Sequence, residues 1–204
     1  MMKKHPALAA IEFSEIPIGM TATDAMVKKA PIAFVRCGTV THGRYLTIIG
    51  GTTASVTEAL AEGRSWGGGA VVDWVLLPDV HPQLYDAMLG ERRAVGSGAL
   101  AILETATVAA NVRAAEAALK GTPVVLIEIR LADSGLSGKG LSVVQGDLHD
   151  VEAAVQLATK VLAEHSLELR ATVIARPHEA LTNAVGGGTH FGAAKLLDLG
   201  GEVE

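Results

Sequence analysis

Few side chains in this 204-residue sequence could do covalent or metal chemistry, and their spacing argues against it. Cys37 is the single cysteine, so one chain offers no disulfide, no CxxC pair and not the several thiolates an iron–sulfur cluster needs. The seven histidines (His5, His42, His81, His149, His165, His178 and His190) show no ligand spacing, and HExxH, GxSxG and P-loop patterns are absent. Glu12 and Glu104 invite reading as paired carboxylates, but they occupy corresponding places in a repeat, which makes them structural rather than an acid–base pair. The runs Gly67–Gly69 and Gly186–Gly188 lack a following helix start with Lys, so neither cradles a phosphate. The expectation is a protein that is not an enzyme, with no catalytic residue, no cofactor and no bound metal.

Composition points the same way. Hydrophobic residues make 49% of the chain but aromatics only 3%, and the apolar character comes from small and aliphatic side chains, 33 Ala and 23 Gly among them. Such a chain is not intrinsically disordered. Its net charge of −5, without basic runs beyond pairs, argues against nucleic acid as a partner. No stretch approaches the roughly 18 apolar residues of a membrane helix, and Met1–Ile11 does not read as a signal peptide. A lone cysteine without an export signal suggests a reducing cytoplasm. The surplus of small residues suggests close backbone packing or extensive subunit contact.

The elements that must position these residues occur twice. With a shift of 92, Ile11-Glu12 falls on Leu103-Glu104, Asp24–Lys28 on Glu116–Lys120, and Pro31 on Pro123. After a three-residue insertion, Gly43-Arg44 pairs with Gly138-Lys139, Gly51 with Gly146 and Val56 with Val151. Near the copy ends, residues 78–84 parallel residues 174–180, which sets Val80 opposite Arg176. The domains are therefore residues 8–89 and 99–185, joined by a charged and Gly/Ser-containing linker at 90–98, with tails at 1–7 and 186–204. Within each copy β-branched runs alternate with Ala-rich helical ones. Strands are expected at 8–13, 32–40, 45–49 and 71–77, and at 100–105, 124–131, 140–144 and 168–175. Helices are expected at 21–29, 55–62 and 83–88, and at 111–120, 151–163 and 179–185. Thr21 or Thr23 and Asn111 are candidate caps, and Pro31 and Pro123 are stops. The order βαββαβ with an extra helix is the ferredoxin-like α+β pattern, with both helices on one face of an antiparallel sheet.

The segments DAMVKKAP and AEAALKGTP, GRYLTIIGGTTASV and GKGLSVVQGDLHDVEAAV, and VIARPHEAL resemble the helix, pore-loop and edge motifs of bacterial microcompartment shell proteins. Two copies in one chain resemble the tandem-domain class, and LLPDVHPQL with IARPHEAL is most similar to its propanediol-utilisation type. The resemblance covers residues 8–185. It implies a homotrimer that mimics a hexamer and tiles the facets of a microcompartment shell in the cytoplasm. The implied partners are other shell proteins, both hexamers and pentamers, enclosed enzymes, and small metabolites crossing a central pore. Lys28, Lys120 and Arg176 match the family's tile-edge residues. Thr39, Val40, Thr41, His42 and Gly43, with Asp133, Ser134, Gly135, Leu136 and Ser137, match its pore loops. From the residues alone, those segments are ordinary polar hairpin loops and Lys28 and Lys120 are helix-end lysines.

Two alternatives stay open. In the propanediol type a pore-loop cysteine binds an iron–sulfur cluster, but Thr41 stands there, and Cys37 is expected within a strand, buried. Three copies of His42 about a three-fold axis could instead make a zinc-type site, giving a metal-binding or electron-transfer pore. The other alternative is a ferredoxin-like small-molecule sensor or enzyme, since that fold hosts many functions.

Overall fold

The computed structural model describes residues 7–197 and 199, so most of the N-terminal tail and parts of the C-terminal one lie outside the described residues. The first half runs β1 (Ala7–Phe13), α1 (Ile16–Lys29), β2 (Phe34–Val40), β3 (Arg44–Gly51), α2 (Thr53–Gly67), β4 (Val71–Leu77) and α3 (Pro82–Met88). The second runs β5 (Ala99–Thr105), α4 (Val108–Gly121), β6 (Val125–Leu131), β7 (Gly140–Gly146), α5 (Leu148–Ala163), β8 (Arg170–Ile174) and α6 (Glu179–Gly187). Each half makes a four-stranded antiparallel sheet, ordered β2-β3-β1-β4 and β6-β7-β5-β8. This is the expected α+β architecture, once in each half.

Helix starts differ from the expectation. Helix α1 begins at Ile16, five residues early, because Pro17 suits a first helical turn, where its missing N–H costs nothing. Thr21 and Thr23 lie inside it. The Thr23 hydroxyl hydrogen-bonds the Gly19 carbonyl at 2.8 Å and the Thr47 hydroxyl at 2.6 Å. Helix α4 is capped by Thr107, whose side chain accepts the Ala110 N–H, while Asn111 is buried and donates to the Leu103 carbonyl at 3.0 Å. Thr52 caps α2, and α1 and α4 end just before Pro31 and Pro123, as expected.

Strand β1 is buried on both faces. Ala7, Ala9, Ile11 and Phe13 point to α1 and α2, and Leu8 and Ala10 join a second core shared with the other half. A strand enclosed on both sides needs a near-continuous apolar run, which ALAAIEF supplies, Glu12 excepted. The second cover comes from α4, which lies across β1 and β4, and from α3, which reaches over to β6. The Gln83 side chain of α3 accepts the Leu126 N–H at 3.0 Å and donates to the Val124 carbonyl at 3.5 Å, serving the backbone of an edge strand beside its bulge. The two halves thus share one core rather than being beads on a string. Residues 90–98 are irregular but tied down. Arg92 pairs with Glu128, Arg93 with Asp86, and Gly96 exchanges two hydrogen bonds with the Gln145 amide at 2.6 and 2.9 Å.

Strand register also corrects the alignment at the copy ends. Leu8 faces Leu77 and Leu100 faces Ile174, and His81 and His178 cap corresponding helices, so Arg176 corresponds to Asp79, not to Val80. Val80 is buried in the shared core.

Candidate functional site

The hairpin loop of the first domain is a tight turn between β2 and β3. Thr39 and Val40 end β2, and Thr41, His42 and Gly43 make the turn. His42 and Gly43 both have left-handed backbones, with φ of 68° and 66°. The second loop, residues 132–139, is longer and also needs left-handed residues: Ala132, Gly135, Ser137 and Gly138. A side chain at Gly138 would strain that backbone and press on Arg44 and His42.

These two loops, far apart in sequence, meet. The Thr41 N–H and hydroxyl both donate to the Ala132 carbonyl, at 2.9 and 2.6 Å, and the same hydroxyl accepts the Gly138 N–H at 3.0 Å. Arg44 donates to the Gly138 carbonyl at 3.1 Å and to Glu12 at 3.3 Å. Buried Arg130 grips Asp133 with Nε and Nη2 and holds the Ser134 carbonyl at 2.6 Å. The structure therefore brings together the two predicted loop sets, with Thr41 as the residue that joins them. A cavity of about 650 Å³ lies beside this junction, lined by Cys37, Thr39, Thr41, Leu131, Asp133 and Ser134 among others.

The predicted edge residues are not in one place. Lys28 is exposed on α1 and pairs with Asp24 at 2.5 Å. Lys120 pairs with Glu116 at 2.9 Å and also donates to the Asp79 carbonyl of the first domain, so it takes part in the junction between domains. Arg176 is exposed beyond β8, beside Gly96–Gly98.

Cys37 lies in β2 as expected but is exposed, because β2 is an edge strand and no described residue covers Cys37. A hydrogen bond with Cys37 pushes the Tyr45 phenol up to about 12. His42 is exposed. Among the described residues, the group with metal-ligand geometry is Asp147, His149 and Asp150, the first two exposed and the third half-buried, at the opposite end of β7 from the loop. No helix among the described residues is long and apolar enough to cross a membrane.

Sequence reasoning missed the chemistry of the domain junction. Glu12 is fully buried and accepts the Ala109 N–H at 2.9 Å, at the positive first turn of α4. Burial raises its pKa to about 7, opposed by the Ala109 N–H and the Arg44 guanidinium, with Asp73 adding to the rise. Beside it Asp73 accepts the Thr107 hydroxyl, and the Glu116 carboxylate accepts the His81 N–H at 3.1 Å. Arg113 donates to the Trp74 carbonyl at 3.0 Å. The signal was in the sequence only as a carboxylate in an otherwise apolar strand.

Two ferredoxin-like units, joined so that the helix of one covers the sheet of the other and their hairpin loops meet, define a tandem-domain module. The BMC domain model matches residues 7–80 and 99–177, both copies. This chain belongs to the BMC-domain family and is a shell protein of a bacterial microcompartment. It is 36% identical over 175 residues to the bacterial microcompartment shell protein PduT of Citrobacter freundii, covering 86% of this chain and 95% of that one. A solved microcompartment protein from Desulfitobacterium hafniense matches with a TM-score of 0.77 at 30% identity, covering 88% of this chain and 99% of that one. The fused permuted hexameric shell protein of the RMM microcompartment shares the fold, with a TM-score of 0.58 at 23% identity over 81% of this chain and 88% of that one. Nothing in these comparisons supports the sensor, enzyme or metal-pore alternatives.

Proposed function

We propose that this shell protein is a facet tile: a homotrimer whose six domains form a pseudohexagonal plate, pierced by a pore for small metabolites. The observation that carries this reading is the meeting of the two hairpin loops, because loops that converge within a chain are placed to converge again among chains about a common axis. The axis would be lined by His42, Gly43, Asp133, Ser134, Gly135 and Ser137, whose hydroxyls and backbone can hydrogen-bond polar solutes, while Leu136 is buried within the chain. Lys28, paired with Asp24 on its own helix, and Arg176 are exposed and would serve the tile edge. Such a tile would meet hexameric and pentameric shell proteins in the plane, and enclosed enzymes on one face. Its role would be selective passage, not catalysis.

Electron microscopy of the purified protein, alone and mixed with a hexameric shell protein, tests this. Extended sheets or joint shells are expected, and Lys28→Asp should abolish the sheets while leaving the trimer intact. Particles that never associate laterally, under conditions where a known hexamer forms sheets, would overturn the tile reading.

A further inference from the structure

Corresponding residues of the two domains differ in burial in one consistent sense. Helix α4 packs across β1 and β4, and its Val112 and Leu119 are buried, at 0% and 4% exposure. Their counterparts in α1, Met20 and Val27, are 56% and 40% exposed. Strand β6 lies under α3 with Leu126 at 1% exposure, whereas its counterpart Val35 in β2 is 42% exposed. In the other direction, Glu12 and Asp73 are covered by α4, while their counterparts Glu104 and Arg170 are partly or fully exposed. The first domain leaves its helix face uncovered, and the second leaves uncovered the part of its sheet face that α6 does not reach, around Glu104, Arg170 and Thr172. These are the two halves of a junction that the chain already makes once, internally.

The charges at the two uncovered halves also match. At the internal junction the sheet side offers Asp73 and the helix side offers the Thr107 hydroxyl. At the uncovered faces Arg170 stands in the place of Asp73, and Glu15, at the N-cap of α1, in the place of Thr107. Both are exposed, and neither has a salt-bridge partner among the described residues. Glu116, which takes the His81 N–H, is matched by Asp24, and His81 by His178. Ala109, whose N–H serves Glu12, is matched by Pro17, which has no N–H. Glu104 does not need one, because its own Lys139 lies 3.0 Å away.

Resting on the trimer reading above, we propose that Glu15 of one protomer and Arg170 of the next form an ion pair that orders chains head to tail. Its polarity is the reverse of the acid–hydroxyl contact inside each chain, and that reversal gives specificity. If α1 took the place of α4 on the sheet face of a first domain, Glu15 would meet Asp73, and buried Glu12 would face Pro17 and lose the N–H that Ala109 gives it, keeping only Arg44. On a second domain α1 sets Glu15 against Arg170, and Pro17 against a Glu104 already paired with Lys139, which favours one register for the ring.

Sedimentation of the full chain tests this. Arg170→Glu and Glu15→Lys should each raise the concentration at which the assembly half-dissociates by about tenfold or more, and the doubly substituted chain should regain wild-type assembly to within about threefold. Arg170→Lys should assemble nearly as wild type. Unchanged circular dichroism in the single variants places the loss at the junction. Should a reversed charge disturb folding, a double-mutant cycle of Glu15→Gln and Arg170→Gln reads the same coupling. An assembled wild type with two additive, uncoupled substitutions would overturn the ion pair and leave the trimer standing. A wild type that stays monomeric would overturn both.

Discussion

At the scale of single residues, Glu12 couples the two domains. It stands where β1 should be apolar, buried on both sides, and it is held by the Ala109 N–H and by Arg44. Because its folded pKa is about 7, above the 4.5 ordinary for a glutamate, the folded state holds its proton more tightly than the unfolded chain does. Its contribution to stability is therefore complete below about pH 4.5 and is lost as pH rises through 7, a change on the order of 3 kcal/mol. Arg44 and Asp73 are the charged groups that face it. In Glu12→Gln this loss disappears. The melting temperature of the wild type relative to the variant should fall between pH 5 and pH 8, which thermal denaturation at the two pH values checks. The equivalence of Glu12 and Glu104 was legible in the sequence. Their different fates were not, since one meets a helix of the other domain and the other an uncovered face. Cys37 illustrates the same limit: strand membership could be read from the β-branched run, but burial depends on what lies outside an edge strand.

At the scale of elements, α1 and α4 are copies with different partners. Helix α4 is Ala-rich, and its narrow side chains let it settle between its own sheet and that of the first domain. Val112→Ala should cost about 2 kcal/mol of chain stability by denaturant unfolding, because the lost methyls leave a buried cavity. The corresponding Met20→Ala should leave chain stability within about 0.5 kcal/mol and weaken association instead, seen as an earlier dissociation on dilution. Element order, strand positions and the ends of α1 and α4 could be read from periodicity and proline placement, whereas α2 runs on to Gly67, five residues past its expected end at 62. Helix starts could not, because Thr21, Thr23 and Asn111 are good caps by type but serve inside the helices: Thr21 bonds the Pro17 carbonyl, Thr23 the Gly19 carbonyl and Thr47, and Asn111 the Leu103 carbonyl. The edge-strand contact of Gln83 and the ties that fix residues 90–98 are long-range pairings that no local pattern carries.

At the scale of the whole molecule, the composition takes on a physical sense. Small residues in β1 and α4 allow the four-layer contact between domains. Exposed apolar residues on α1 and β2 mark surface that a further chain can cover. The C-terminal segment folds back where it begins. The Thr189 N–H reaches Glu128 at 3.2 Å, and the Thr189 hydroxyl accepts from Arg130. Beyond it Phe191 and Leu196 are almost wholly exposed, a short apolar extension outside the two repeated domains. In the proposed trimer, the junction inside one chain is repeated between chains until a ring of six domains closes. Native mass spectrometry of the purified full-length protein tests this most directly. A single dominant species of three chains is the predicted result, and a monomer, a dimer or an open ladder of oligomers would contradict it.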